Sequence, residues 1–308
     1  MQQQTFNPLL DAQMIKQSLG KPKNLNTLIQ IVTHRSNEQR QQIMQEYYHQ
    51  FQINLHDEFI NNLSGNFKEA IIALFYTPTD YDCFQINKAV EGLGTNEDIL
   101  IEIISSRTNE ELNKIKQRYP QLYQRDLIEL IKSETSGHLQ KILITLLQAD
   151  RPCNIIPNEQ VCAESAKRLF DSQNGKKDSL YNSFVYVFTQ KSREELALIC
   201  KIYYDRYQKT LLEIVESSFS GNGRRVLKAI IYSLLSPSEY FAYRINKTLK
   251  SFIINDNTLI RILVSRDEID SDRIKRYYSQ LYNITLYEHV SQKTSGDYKN
   301  LLLALIGN

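Results

Sequence analysis

Residues 91–98 read EGLGTNED and set two glycines and a threonine beside three acids. Glycines at 92 and 94 let the backbone turn back on itself and aim several C=O groups at one place, which suits a hard cation such as Ca²⁺. Such a site also needs a carboxylate. Glu134, in KSETSGHL, opens a second turn that falls at the same end of the same unit. Local chemistry offers another reading, in which Gly92 or Gly94 stops one helix in the left-handed conformation and Thr95 with Asp98 caps the next. Enzyme chemistry has little to work with. The five histidines form no H-E-x-x-H, no G-x-S-x-G or G-K-[ST] is present, and Ser18 with Lys21 forms an S-x-x-K that lacks its partner motifs. The expectation is a binding protein, not an enzyme.

The elements that must position these residues come from a fourfold repeat. THRSNEQRQQI, SSRTNEELNKI, TQKSREELALI and VSRDEIDSDRI share one plan, with the basic residue at Arg35, Arg107, Lys191 and Arg266. At one fixed distance beyond each stands a tyrosine (Tyr47, Tyr119, Tyr203, Tyr278). At a second stands a leucine (Leu55, Leu127, Leu211, Leu286), and at a third the glycine of an S-G pair (Gly65, Gly137, Gly221, Gly296). Self-similarity at a constant period marks stacked supersecondary units.

Capping-box spacing precedes each of those leucines (Asn54/Asp57, Asp126/Glu129, Thr210/Glu213, Thr285/Glu288). It recurs after each basic residue (Ser36/Gln39, Thr108/Glu111, Ser192/Glu195, Asp267/Asp270). Apolar residues then follow at helical spacing, as in Leu139, Ile142, Leu143 and Leu146. The expected fold class is all-α, about five short helices per unit, with the tyrosines and leucines as core. Polar, proline-containing stretches near residues 79, 155 and 237 separate the units. The expected organisation is a head at 1–10, repeats at 11–78, 81–150, 161–236 and 239–308, and a linker at 151–160.

Composition narrows the partners. A net charge of +2 argues against a general nucleic-acid binder. No apolar run approaches the roughly 18 residues of a membrane span. The N-terminus lacks the basic flank and apolar block of a secretory signal. Four scattered cysteines without a C-x-x-C read as reduced, mostly packed thiols, so a cytoplasmic chain is expected.

The run G-L-G-T-N-E-D-x-L-I-E-I-I-x-S-R-T-N-E-E, the acid at Glu134 and the S-G-initiated last helix resemble an annexin repeat. The resemblance extends from about Asp11 to Ile306, with a close echo in TLIRILVSRDEID and TSGDYKNLLLALIG. The Asn, Gln and Tyr content also resembles the giardin branch of that family. The resemblance implies a curved disc of four five-helix repeats that binds Ca²⁺ and, through it, the phosphates of an anionic phospholipid membrane surface. It assigns the carbonyls of Val90, Gly92 and Gly94 and the carboxylate of Glu134 to a primary site, and Thr95 with Glu97 to a weaker neighbour. The implied location is peripheral to a membrane.

The other units depart from this pattern. The glycine pair becomes Gly20 and Pro22, then Lys176 and Asp178, then Ser251 and Ile253; the acid becomes Asn62, Ser218 and Lys293. Asp171 and Asp178 of the third unit offer a different ligand geometry, set against the usual role of such residues in turns. Charge shifts as well. Residues 81–150 carry 8 basic and 11 acidic residues, whereas residues 161–236 carry 12 and 8. Lys21, Lys23, Lys176, Lys177, Arg224, Arg225 and Lys293 fall in turns that would face lipid, where each would be worth on the order of 1 kcal/mol against an anionic surface. They read either as ordinary solvated charge or as a calcium-independent route to the membrane. A cytoskeletal scaffold for which calcium is dispensable is the rival function, with cytoskeletal proteins as its partners.

Overall fold

The computed structural model describes residues 6–175 and 177–307, and every regular element among them is an α-helix. The first unit contains α1 (Pro8–Ser18), α2 (Leu25–Thr33), α3 (Asn37–Phe51), α4 (Leu55–Asn62) and α5 (Gly65–Leu74). The second contains α6 (Pro78–Val90), α7 (Glu97–Ser106), α8 (Asn109–Tyr123), α9 (Leu127–Glu134) and α10 (Gly137–Leu147). The third contains α11 (Glu159–Ser172), α12 (Lys177–Gln190), α13 (Arg193–Tyr207), α14 (Leu211–Ser218) and α15 (Gly221–Leu235). The fourth contains α16 (Pro237–Leu249), α17 (Asp256–Tyr282), α18 (Leu286–Lys293) and α19 (Gly296–Ile306). Contacts divide the chain into two compact bodies, one from Met1–Tyr81 with Phe241–Asn308 and one from Asp82–Tyr240. Pro78 and Pro237 start α6 and α16, the position at which a missing N–H costs nothing.

The periodic residues are the core. Tyr47, Tyr119, Tyr203 and Tyr278 are buried, as are Leu55, Leu127, Leu211 and Leu286. The periodic basic residues anchor helix junctions. Arg35 donates to both oxygens of Asp11 at 2.6 and 3.2 Å, and Arg107 to both of Asp82 at 2.7 and 2.8 Å. Lys191 meets Glu195 at 3.0 Å and Arg266 meets Asp270 at 2.7 Å.

Most caps form as the spacing predicts. Reciprocal capping boxes close at Ser36/Gln39, Thr108/Glu111, Ser192/Glu195, Thr210/Glu213 and Thr285/Glu288. Asn54 and Asp126 make one-sided caps, Asn54 accepting from the His56 amide and Asp126 from those of Ile128 and Glu129. The expected start at Asp267/Asp270 is a correction. Asp270 is diverted to the buried Arg266 and its backbone leaves the helical region (φ −150°, ψ 24°), so α17 is two helical segments joined at a kink there.

Candidate cation site in the second repeat

In the second repeat α6 and α9 both deliver C-terminal ends to one place. Helix C-termini carry unpaired carbonyls and the negative end of the macrodipole, so a carboxylate there is intrinsically uncomfortable without a cation. Here α6 stops at Val90, and α9 ends on Glu134 itself. The loop from 91 to 96 is closed by the Asn96 amide, which donates to the Ala89 carbonyl at 2.7 Å. Within that closed loop Gly92 has φ 96° and Gly94 φ 88°, and a Cβ at either would meet nothing within 4 Å. These are left-handed backbones that L-residues avoid. Both glycines are therefore required by conformation, and the space beside them is open.

Across from the loop, the Thr95 hydroxyl donates to Glu134 Oε2 at 3.0 Å. That bond joins residues 39 apart in sequence and puts the carboxylate beside the glycine loop. The expected cap by Thr95 and Asp98 is thus replaced: α7 starts after Asn96 without a side-chain cap bond, because the Thr95 hydroxyl is turned to Glu134. Internal cations reach Glu134 poorly. Arg125 stands 3.9 Å away with 44% of its side chain exposed, and Lys132 is drawn to Glu129 at 2.8 Å. Main-chain carbonyls plus one carboxylate that is 27% exposed, with room around them, form a donor set that fits Ca²⁺. No group of three or more His, Cys, Asp or Glu side chains that could hold a metal ion occurs among the described residues.

The other predicted ligands and basic residues are placed differently. Glu97 meets Arg225 at 3.4 Å and accepts from the Asn222 amide at 2.9 Å. Arg225 also meets Asp98 at 2.9 Å, clamping α15 to α7. Arg225 is thus paired with α7 while 39% of its side chain stays exposed. Asp171 is paired with Lys167. Lys176 lies outside the described residues, as do the side chains of Lys177 and Asp178.

Sequence reasoning placed Lys293 at the acid position but missed the matching cations of the first and third repeats. In three repeats the end of the fourth helix already holds a built-in cation. In the first, the Lys23 ammonium donates to the carbonyl of Asn62, the last residue of α4. In the third, Arg224 Nε donates at 2.5 Å to the carbonyl of Phe219, which caps α14. In the fourth, Lys293 ends α18 itself. The second repeat ends in an acid instead. In register, Lys23 holds the place of Thr95 and Asn62 that of Glu134.

The annexin family model matches residues 10–74, 81–146, 165–230 and 240–305, which is four copies over most of the chain. The chain belongs to the annexin family. Human annexin A7 is 35% identical over 303 residues, covering 98% of this chain and 62% of annexin A7. The chain therefore spans less than two thirds of that relative's length. Among solved structures, annexin III superposes with a TM-score of 0.94 at 33% identity, over 98% of this annexin and 94% of that chain. A calcium-bound annexin (Sm)1 superposes at 0.87 with 28% identity, over 98% and 91%. Calcium-bound alpha-14 giardin reaches 0.87 at 21% identity, over 98% and 100%, a likeness of fold alone. Among the described residues no helix is long and apolar enough to cross a membrane.

Proposed function

We propose that this annexin binds anionic phospholipid surfaces through calcium held in the second repeat. The ligands assigned are the carbonyls of Val90, Gly92 and Gly94 and the carboxylate of Glu134. The observation that carries the reading is the Thr95–Glu134 bond, which sets the one acid at a fourth-helix terminus against the left-handed glycine loop. About four protein oxygens leave coordination positions for water or a lipid phosphate. The protein acts by binding rather than by catalysis, and its association with membranes is peripheral.

A second, calcium-independent component comes from exposed basic residues such as Lys21 and Lys293. Their attraction is screened over a Debye length of about 8 Å at physiological salt. The rival scaffold reading draws on the built-in cations of the other three repeats, which leave one calcium site to sustain any calcium dependence. Co-sedimentation with phosphatidylserine-rich vesicles separates the two. Pelleting at high salt should require calcium, while chelator should leave only binding that fades as salt rises. Pelleting that ignores calcium at every salt concentration would favour the scaffold.

A further inference from the structure

The turn between α16 and α17 occupies the place that the glycine loop holds in the second repeat, yet it reads Lys250-Ser251-Phe252-Ile253-Ile254. Phe252 is 104% exposed and Ile253 80% exposed. Two adjacent large apolar side chains standing wholly in water cost free energy with no internal return, and such exposure marks an interaction surface. Their charged surroundings narrow the partner. Lys250 and Lys293 are both exposed, one in this turn and one at the end of α18. Both ammoniums lie near the buried His289. Burial first, and then these two charges, hold its pKa below the ordinary value, while Tyr278 hydroxyl and His289 Nδ1 share a 2.6 Å hydrogen bond. The neighbouring acid, Asp256, accepts from Asn66 at 2.7 Å.

We infer that Phe252 and Ile253 form an apolar anchor that enters the interfacial zone of an anionic bilayer without calcium, with Lys250 and Lys293 pairing the headgroups around it. The inference rests on the membrane reading above and adds a mode of attachment to it. The fourth repeat has no carboxylate at the terminus of α18, so its route to lipid is direct. A bilayer fits better than a protein groove, since the tip protrudes from a turn and is flanked by ammoniums, which match a sheet of phosphates over an apolar layer.

The chain contains no tryptophan, so Phe252→Trp supplies a single reporter. In chelator at low salt, vesicles of phosphatidylcholine and phosphatidylserine brominated along the acyl chains should blue-shift and quench its emission. Phe252→Ser with Ile253→Ser should lower partitioning in chelator about tenfold or more, without moving the thermal midpoint, because neither side chain is packed. Absence of quenching overturns the anchor. If wild type still pellets with calcium in that case, the calcium-dependent function stands. If wild type pellets under neither condition, both readings fail. A blue shift that follows protein concentration without vesicles would identify a second copy as the occupant and overturn the bilayer.

Discussion

The second and fourth repeats bring the same two turns together and give them opposite charge. In the second, α9 ends on Glu134, faced by a glycine loop with two left-handed residues. In the fourth, α18 ends on Lys293, faced by a loop of large apolar side chains. A helix C-terminus favours a positive charge. The fourth repeat supplies one from its own sequence, whereas the second sets only the half-exposed Arg125 near its carboxylate, 3.9 Å away. On the reading proposed above, calcium competence depends on a weakly held internal cation as much as on the ligands present. The first and third repeats follow the fourth, with Lys23 and Arg224 donating to the terminal carbonyls.

The largest effect should come from removing the charge that defines the second repeat. Glu134→Gln keeps the shape and the acceptor for Thr95 but makes a charged ligand neutral. Calcium affinity should fall by about tenfold or more, on the order of 1.4 kcal/mol, as affinity follows ligand charge. Titration calorimetry reads this directly. Wild-type affinity in the variant would mean that the two repeats do not differ in the way their termini suggest.

A smaller effect separates the helix junctions. Thr108 caps α8 through a box with Glu111, whereas its fourth-repeat counterpart, Asp267, lies three residues before the kink in α17. Burial pushes the Asp267 carboxyl up to about 6, with Glu268 adding to the shift and Arg40 and Lys275 opposing it. A raised carboxyl pKa means that the folded chain holds the proton more tightly than the unfolded one. Stability should then fall as pH rises from about 4 to about 6, with the penalty complete above that window. Asp267→Asn should gain about 1–2 kcal/mol at pH 7 and little at pH 4, the shift at 1.36 kcal/mol per unit being reduced for partial exposure. Denaturant midpoints at the two pH values test the sign.

How far such differences could be read from the chain depended on their range. The five capping boxes and the buried tyrosines and leucines were legible because a three-residue spacing or a fixed period carries them. The pairing of Arg225 was not legible because its partners, Glu97 and Asp98, lie more than a hundred residues away and local composition shows only the charge. Thr95 was misjudged for a related reason. A threonine before an acid predicts a cap, and only packing reveals the closer carboxylate of Glu134. Gln52, Gln124, Gln208 and Asn283 all adopt φ between 53° and 55° at matching places, yet glutamine carries no signal for that conformation.

The smallest effect should arise at the other ends of the two contrasted helices. Asp126 caps α9 with bonds to the Ile128 and Glu129 amides at 2.8 and 3.0 Å, and Thr285 caps α18 through its box with Glu288. Each helix is only eight residues long, too short to persist without its cap and its packing. Asp126→Ala and Thr285→Ala should each cost about 1 kcal/mol, since first-turn amides lose their acceptor. In a domain-sized body that is a fall of about 2–4 °C in thermal midpoint. The consequences for calcium should diverge. Glu134 is the last residue of α9, so loosening that helix disperses the carboxylate and weakens calcium binding along with stability. Lys293 is the last residue of α18 and holds no ligand, so Thr285→Ala should lower the midpoint and leave the calcium isotherm unchanged. Equal calcium loss in both variants would show that the cap acts through global stability, and would remove the distinction between a helix that aims a ligand and one that carries its own cation.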